Sequence, residues 1–82
     1  MSADKRGLEL IALKGIMTTK DGRSVVARLI ELAGTHSDTF SADPYTHAYK
    51  AGKRSQGVWL ENEVKTHFNG SYLLMLKESQ DE

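Results

Sequence analysis

The side chains that carry chemistry in proteins are few in this sequence, and their spacing matches none of the common catalytic or metal-binding patterns. There is no cysteine, which excludes thiolate nucleophiles, disulfides and cysteine-ligated zinc. The three histidines, His36, His47 and His67, are too far apart for a metal pair, whose ligands lie four residues apart on a helix. No serine lies in a G-x-S-x-G elbow. We therefore expect no catalytic residue, no metal ion and no cofactor.

A glycine–lysine pair, Gly52 and Lys53, superficially resembles a phosphate-binding loop. The upstream Gly-x4-Gly spacing is missing, and the pair falls inside a predicted helix instead of between a strand and a helix. Nucleotide binding is therefore not expected.

Three basic residues, Lys50, Lys53 and Arg54, share one face of a predicted helix over residues 44–67. Such a face contacts phosphate groups, docks on an acidic protein surface or is simply solvated. A net charge of zero argues against a dedicated nucleic-acid protein. We therefore rank a protein partner first and nucleic acid second, and we include Arg23 among the docking residues.

Trp59 belongs to an aromatic set on and just after the same predicted helix, together with Tyr45, Tyr49 and Phe68. Core packing is the default interpretation for such a set. The alternative is an anchor that faces a partner, because Trp and Tyr are enriched at interface hot spots. We include Trp59 in the predicted docking surface on this second interpretation.

The elements that must position these residues are predicted to be helices. One proline and the absence of long alternating runs favour helix over sheet. Thr18 or Thr19, and the Asp43–Pro44 pair, are helix-start signals. The predicted helices cover residues 3–13, 19–33, 44–67 and 71–79. The sequence therefore predicts one all-α domain over residues 1–82, a small bundle of three to four helices.

Each predicted helix has an apolar stripe that we expect to face the core. The stripes are Leu8, Ile11 and Ala12; Val25, Val26, Leu29, Ile30 and Ala33; Tyr45, Ala48, Gly52, Ser55 and Trp59; and Leu73, Leu74 and Leu76, with Met75 as a further candidate. Phe40, in the polar loop after the second helix, is expected to fold back on this core. Gly15 is expected to end the first helix, and Asn69–Gly70 to end the third.

Three glycines within helices, Gly22, Gly52 and Gly57, are costly there unless neighbouring backbones come close. We expect the second and third helices to cross at these residues, with Gly52 against the Gly22 end. Arg23 and Arg54 would then pair with carboxylates of the bundle or with an outside partner. The expected carboxylates are Asp21, Glu61 and Glu63.

Composition bears on the size of the core, on membrane contact and on the distribution of charge. The chain has 82 residues, of which 39% are apolar, and this is enough for one small core. No apolar run approaches the roughly 20 residues that cross a bilayer, so we expect no membrane contact. Residues 1–60 carry an excess of basic groups and residues 61–82 an excess of acidic groups, so the two parts could attract each other or a partner of complementary pattern. A homo-oligomer or ring is among the expected assemblies.

Three stretches taken together resemble a family of very small helical proteins of short-tailed bacteriophages, first recognised in a Bordetella phage. They are TKDGRSVVARLI at residues 19–30, AGKRSQGV at residues 51–58 and NGSYLLMLKE at residues 69–78. Their order and spacing correspond to the family over residues 8–78. Lys53 departs from the pattern, since arginine is usual there.

The resemblance implies a virion or assembly protein encoded among capsid, portal and tail genes, without a defined activity. We therefore expect a non-enzymatic protein that docks on a larger phage component, namely the portal, the head–tail region or the ejection proteins. It would be found in the virion or in the cytoplasm of the infected bacterium. The alternatives are an early-phage effector that inhibits a host protein and a nucleic-acid-associated protein.

Overall fold

The chain folds into four helices in a computed structural model that describes residues 2–37 and 41–80, with side chains from residue 5 onward. The helices are α1 (Ser2–Thr18), α2 (Lys20–Leu32), α3 (Pro44–His67) and α4 (Asn69–Gln80). The described residues contain no strand, which confirms the predicted all-α bundle. Phe40, expected to cover the core, lies outside the described residues.

The starts of α2 and α3 are fixed by the predicted caps. The Thr19 hydroxyl accepts the Gly22 N–H at 2.9 Å. The Asp43 carboxylate accepts the Thr46 hydroxyl at 2.6 Å and the Tyr45 N–H at 3.2 Å. These two hydrogen bonds lower the pKa of Asp43, the bond from Thr46 having the larger effect.

Two predicted helix ends are wrong. Gly15 lies inside α1, which continues to Thr18. Asn69 and Gly70 lie inside α4, and the break between α3 and α4 falls at Phe68. A helical glycine costs only about 1 kcal/mol relative to alanine, so packing of the flanking turns overrides it.

The core is small and takes one or two buried side chains from each helix. They are Met17, Val26, Ile30, Val64, Tyr72 and Met75. Helices α2 and α4 each contact the three other helices, and α2 does so more extensively. The assembly of helices is flat, with extents of 41 × 40 × 17 Å. A flat shape leaves one side of several helices without a neighbour.

The apolar stripe predicted for α1 and the leucines predicted for the core in α4 face solvent. Leu8 and Ile11 are 67% and 68% exposed, because α1 packs through Leu13 and Met17 instead. In α4 the buried residues are Tyr72 and Met75. The three predicted core leucines of that helix, Leu73, Leu74 and Leu76, are exposed. Both helices are apolar on more than one side, so helical spacing alone does not choose the buried face.

The stripe predicted for α3 also faces solvent. Tyr45 is 86% exposed, and Trp59 is half exposed. The buried face is a different one, which includes Gly57 and Val64. Residues 44–56 of α3, which we name the α3 arm, extend beyond the bundle and contain no buried residue. This correction places the arm and Trp59 on the outside of the molecule.

The expected contact between Gly52 and Gly22 is wrong, because Gly52 lies on the α3 arm. A Cβ atom added to Gly52 would meet nothing within 4 Å. Gly22 does lie at a close approach, since its Cβ would fall 1.9 Å from the Ile16 carbonyl oxygen. Gly57 faces the end of α2, where a Cβ would fall 2.7 Å from the Ala33 Cβ. Gly57 therefore marks the crossing of α2 and α3.

Candidate docking surface

Arg23, one of the predicted docking residues, points into the bundle. Its side chain lies against α4, where Nε and Nη2 donate to the two carboxylate oxygens of Glu78 at 2.8 and 3.0 Å. Nη1 donates to the carbonyl oxygens of Met17 and Thr18 at 3.1 and 3.0 Å. The residue is 8% exposed. Its assignment to the docking surface is therefore wrong, because internal acceptors occupy the guanidinium.

Two carboxylates expected to pair with arginines of the middle helices pair elsewhere. Glu63 is buried and accepts a hydrogen bond from Arg6 of α1. Glu61 lies 2.9 Å from His36 and accepts the Tyr72 hydroxyl at 3.4 Å. These pairs could not be predicted from spacing in the sequence, because each joins residues that are distant along the chain or lie on different helices. They use two more of the acidic side chains of the protein internally.

The α3 arm carries a cluster of three cations. Lys50, Lys53 and Arg54 are exposed, and among the described residues none of them forms an ion pair. The Lys53 ammonium lies 5.8 Å from the centre of the Tyr49 ring, a cation–π contact. The sequence has no acidic residue at positions 44–60. The arm is therefore a local positive surface on a protein of zero net charge.

An apolar groove lies where the α3 arm leaves the bundle. It has a volume of about 400 Å³ and runs between the end of α2 and the middle of α3. Leu29, Leu32 and Ala33 form the α2 wall. The α3 wall is formed by Lys53, Gln56, Gly57, Trp59 and Leu60. One of the three cations of the arm, Lys53, thus lines the groove directly.

The local sequence explains why this groove stays open. Gly57 allows α3 to approach the end of α2 closely at Ala33, and the groove opens beside this contact. Leu29 and Leu32 lie on the side of α2 opposite to the α4 contact, and both are about half exposed. Trp59 is 51% exposed on the other wall. The geometry thus favours the interpretation of Trp59 as a surface anchor over a core residue.

Sequence reasoning placed Lys53 and Trp59 in the site but missed its leucines. Val25 and Leu29 are exposed although the predicted core stripe includes them, whereas Val26 and Ile30 of the same stripe are buried. Leu32 is not part of the predicted stripe. The angular position of each residue around the helix separates the exposed set from the buried set. Residues 25, 29 and 32 form a second stripe beside the stripe of residues 26 and 30. Two adjacent apolar stripes on one helix indicate two packing partners.

A second groove, of about 350 Å³, separates α2 from α4. The Arg23–Glu78 pair lines it, together with side chains of both charges from α2, among them Arg28 and Glu31. Arg28 and Glu31 pair with each other at 3.0 Å. The charges of this groove are thus largely satisfied within the protein.

Two further properties bear on what the surface can do. Among residues 2–37 and 41–80, no three histidine or acidic side chains come together as a set that could hold a metal ion. None of the helices in that part of the chain is long and apolar enough to cross a membrane.

Comparison with protein families gives a match that covers most of the chain. A family model described as "Bbp19-like phage protein" matches residues 13–77. The matched region contains the groove and the α3 arm, whereas most of α1 precedes it. No curated protein and no solved structure is significantly similar to the chain.

Proposed function

The chain belongs to the Bbp19-like phage protein family, and from this membership and its open groove we propose that it is a non-enzymatic docking protein of the phage particle or its assembly. The groove between α2 and α3 would be the docking site. Trp59 would be its anchor, and Lys53 and Arg54 would contact the rim of the partner. The partner would be a larger structural component, in the portal, the head–tail region or the set of ejection proteins.

The observation that carries this proposal is the exposure of Trp59 beside the two groove leucines. A half-exposed tryptophan in an apolar cleft is the usual composition of an interface hot spot. A monomeric protein of this size gains nothing in stability from leaving these three side chains in water. A partner that covers them would remove that unfavourable exposure.

The overall shape supports the same proposal. The accessible surface of 6016 Å² exceeds the roughly 4,900 Å² typical of a monomer of this mass. The radius of gyration is 14.4 Å, compared with about 12 Å for a compact chain of this length. A small, flat scaffold with surplus surface is suited to a complex in which a larger protein supplies the missing contacts.

The test is the protein content of purified particles of the phage that encodes the chain. Mass spectrometry is expected to find the protein in wild-type particles and to find it strongly depleted in particles of a Trp59→Ala mutant. Leu73→Ala is the matched control, because Leu73 is similarly exposed but lies on α4, outside the groove. Equal amounts of both variants in the cell make the comparison valid.

Two results would contradict the proposal. Wild-type particles without the protein would exclude a virion role, and recovery of the protein on a host enzyme would favour the effector alternative. Particles in which Trp59→Ala and Leu73→Ala are retained equally would show that docking uses another surface.

A further inference from the structure

The groove and the α3 arm also specify the chemistry of what binds there. We infer that the groove accepts an amphipathic helix of the partner whose apolar side is flanked by acidic residues. This inference rests on the proposed function only in taking the groove as the docking site.

The apolar requirement follows from the two walls. Leu29, Leu32 and Trp59 present a continuous apolar surface, and Gly57 at the base adds no side chain to fill it. Val25 extends the same stripe of α2 by one turn and is also exposed. Two turns of apolar surface beside a tryptophan match the spacing of side chains at i, i+4 and i+7 on one face of a bound helix.

The acidic requirement follows from how the protein distributes its ion pairs. Glu9, Glu31, Glu61, Glu63 and Glu78 each lie within ion-pair distance of a basic side chain of the same chain. The three cations on the arm have no such partner among the described residues. Because these five carboxylates are paired internally and positions 44–60 contain no acidic residue, the unneutralised charge of the described residues beside the groove is positive. Carboxylates on the partner would complement it.

A helix fits this surface better than an extended peptide or a nucleic acid, both of which can bind basic, aromatic surfaces. The described residues contain no strand, so no sheet edge is present to which an extended peptide could add. A nucleic acid would use the cations and the tryptophan ring but presents no aliphatic stripe to match Leu29 and Leu32. The combination of leucines with cations therefore favours a protein helix.

The experiment uses Trp59 as its own reporter, since it is the single tryptophan of the chain. The full-length protein is titrated with a helical peptide of about 14 residues that carries leucines at i, i+4 and i+7 and glutamates along both flanks. A second peptide has lysine at every glutamate position. We expect a blue shift of Trp59 emission and binding at least about tenfold tighter for the acidic peptide at low salt, with a smaller ratio at high salt.

A charge-reversal variant makes the test specific to the arm. Lys53→Glu/Arg54→Glu is expected to reverse the preference, so that it binds the lysine peptide more tightly. Lys65→Glu/Lys77→Glu makes the same change in net charge outside the groove and is expected to keep the wild-type preference. Circular dichroism checks that both variants remain helical.

Each other result overturns the inference. Equal affinity for the two peptides would show that the groove does not distinguish acidic from basic flanks. No shift of Trp59 emission with either peptide would show that the groove does not accept a helix. A single-stranded oligonucleotide that binds more tightly than the acidic peptide would assign the surface to nucleic acid. Retention in particles that depends on Trp59, without a peptide preference, would leave the proposed function standing and reject this inference alone.

Discussion

Arg23 and Glu78, 55 residues apart in the sequence, meet in a two-point contact that joins the start of α2 to the end of α4. The guanidinium donates to both carboxylate oxygens at 2.8 and 3.0 Å. Its remaining terminal nitrogen donates to the last carbonyl groups of α1. One side chain therefore links three helices in a protein whose apolar core has six buried members among the described residues.

Replacing Arg23 by lysine is expected to lower the melting temperature of the protein by several degrees. Lysine keeps the charge but cannot reproduce the planar fork that meets both oxygens of Glu78 and the two carbonyl groups together. Arg28→Lys is the control, because the Arg28–Glu31 pair is exposed and local. Thermal unfolding followed by circular dichroism measures both. Equal melting temperatures for the two variants would contradict the structural role of Arg23.

The same contact predicts loss of stability in acid. Hydrogen bonding to Arg23 holds the pKa of Glu78 below its ordinary value of 4.5. A depressed folded-state pKa stabilises the fold above that ordinary value, and the stabilisation disappears as the pH falls through the folded-state pKa. Between pH 5 and pH 3, at roughly constant ionic strength, the wild type should lose more stability than Glu78→Gln. Parallel losses in the two proteins would show that Glu78 does not contribute.

The helix starts could be predicted from the sequence because caps are local. Thr19 bonds to a backbone group three residues away, and Asp43 bonds to residues two and three positions on. The buried faces could not be predicted in the same way. The inner face of α3 contains Glu61 and Glu63, which look like solvent positions until Arg6 and His36 are brought to them by the fold.

For the same reason, only part of the candidate site could be predicted from the sequence. The cations of the arm lie within one helix, so their common face follows from helical geometry alone. The groove needs the crossing of α2 over α3 at Gly57, which depends on tertiary packing. Arg23 was misassigned because a charged residue near a helix start usually faces solvent, whereas here its acceptors come from the ends of α1 and α4.

Two glycines of α3 are expected to respond in opposite ways to alanine. Gly52→Ala should stabilise the protein by about 0.5–1 kcal/mol, because the added methyl group meets open space and alanine is the better helix former. Gly57→Ala should destabilise it by about 1–3 kcal/mol, because the methyl group would overlap Ala33 and Thr35. Denaturant unfolding measures both changes in the free energy of unfolding.

These two variants test the correction made to the position of Gly52. If Gly52 were packed against α2, its alanine variant would be the destabilised one. An increase in stability for Gly57→Ala would contradict the close contact at the helix crossing. An increase in stability for both would mean that helix propensity, and not packing, sets their effects.

Tyr72 is expected to ionise at a higher pH than a tyrosine in water. Burial is the main cause of its raised pKa, and the nearby Glu61 carboxylate adds to it by charge and by accepting the hydroxyl at 3.4 Å. Since the folded state resists ionisation, stability should fall as the pH rises above the ordinary tyrosine value of 10.0. Titration of tyrosinate absorbance should show one late group in the wild type and none in Tyr72→Phe. The same variant should lose less stability than the wild type in alkali, and an unchanged titration curve would place the Tyr72 hydroxyl in solvent.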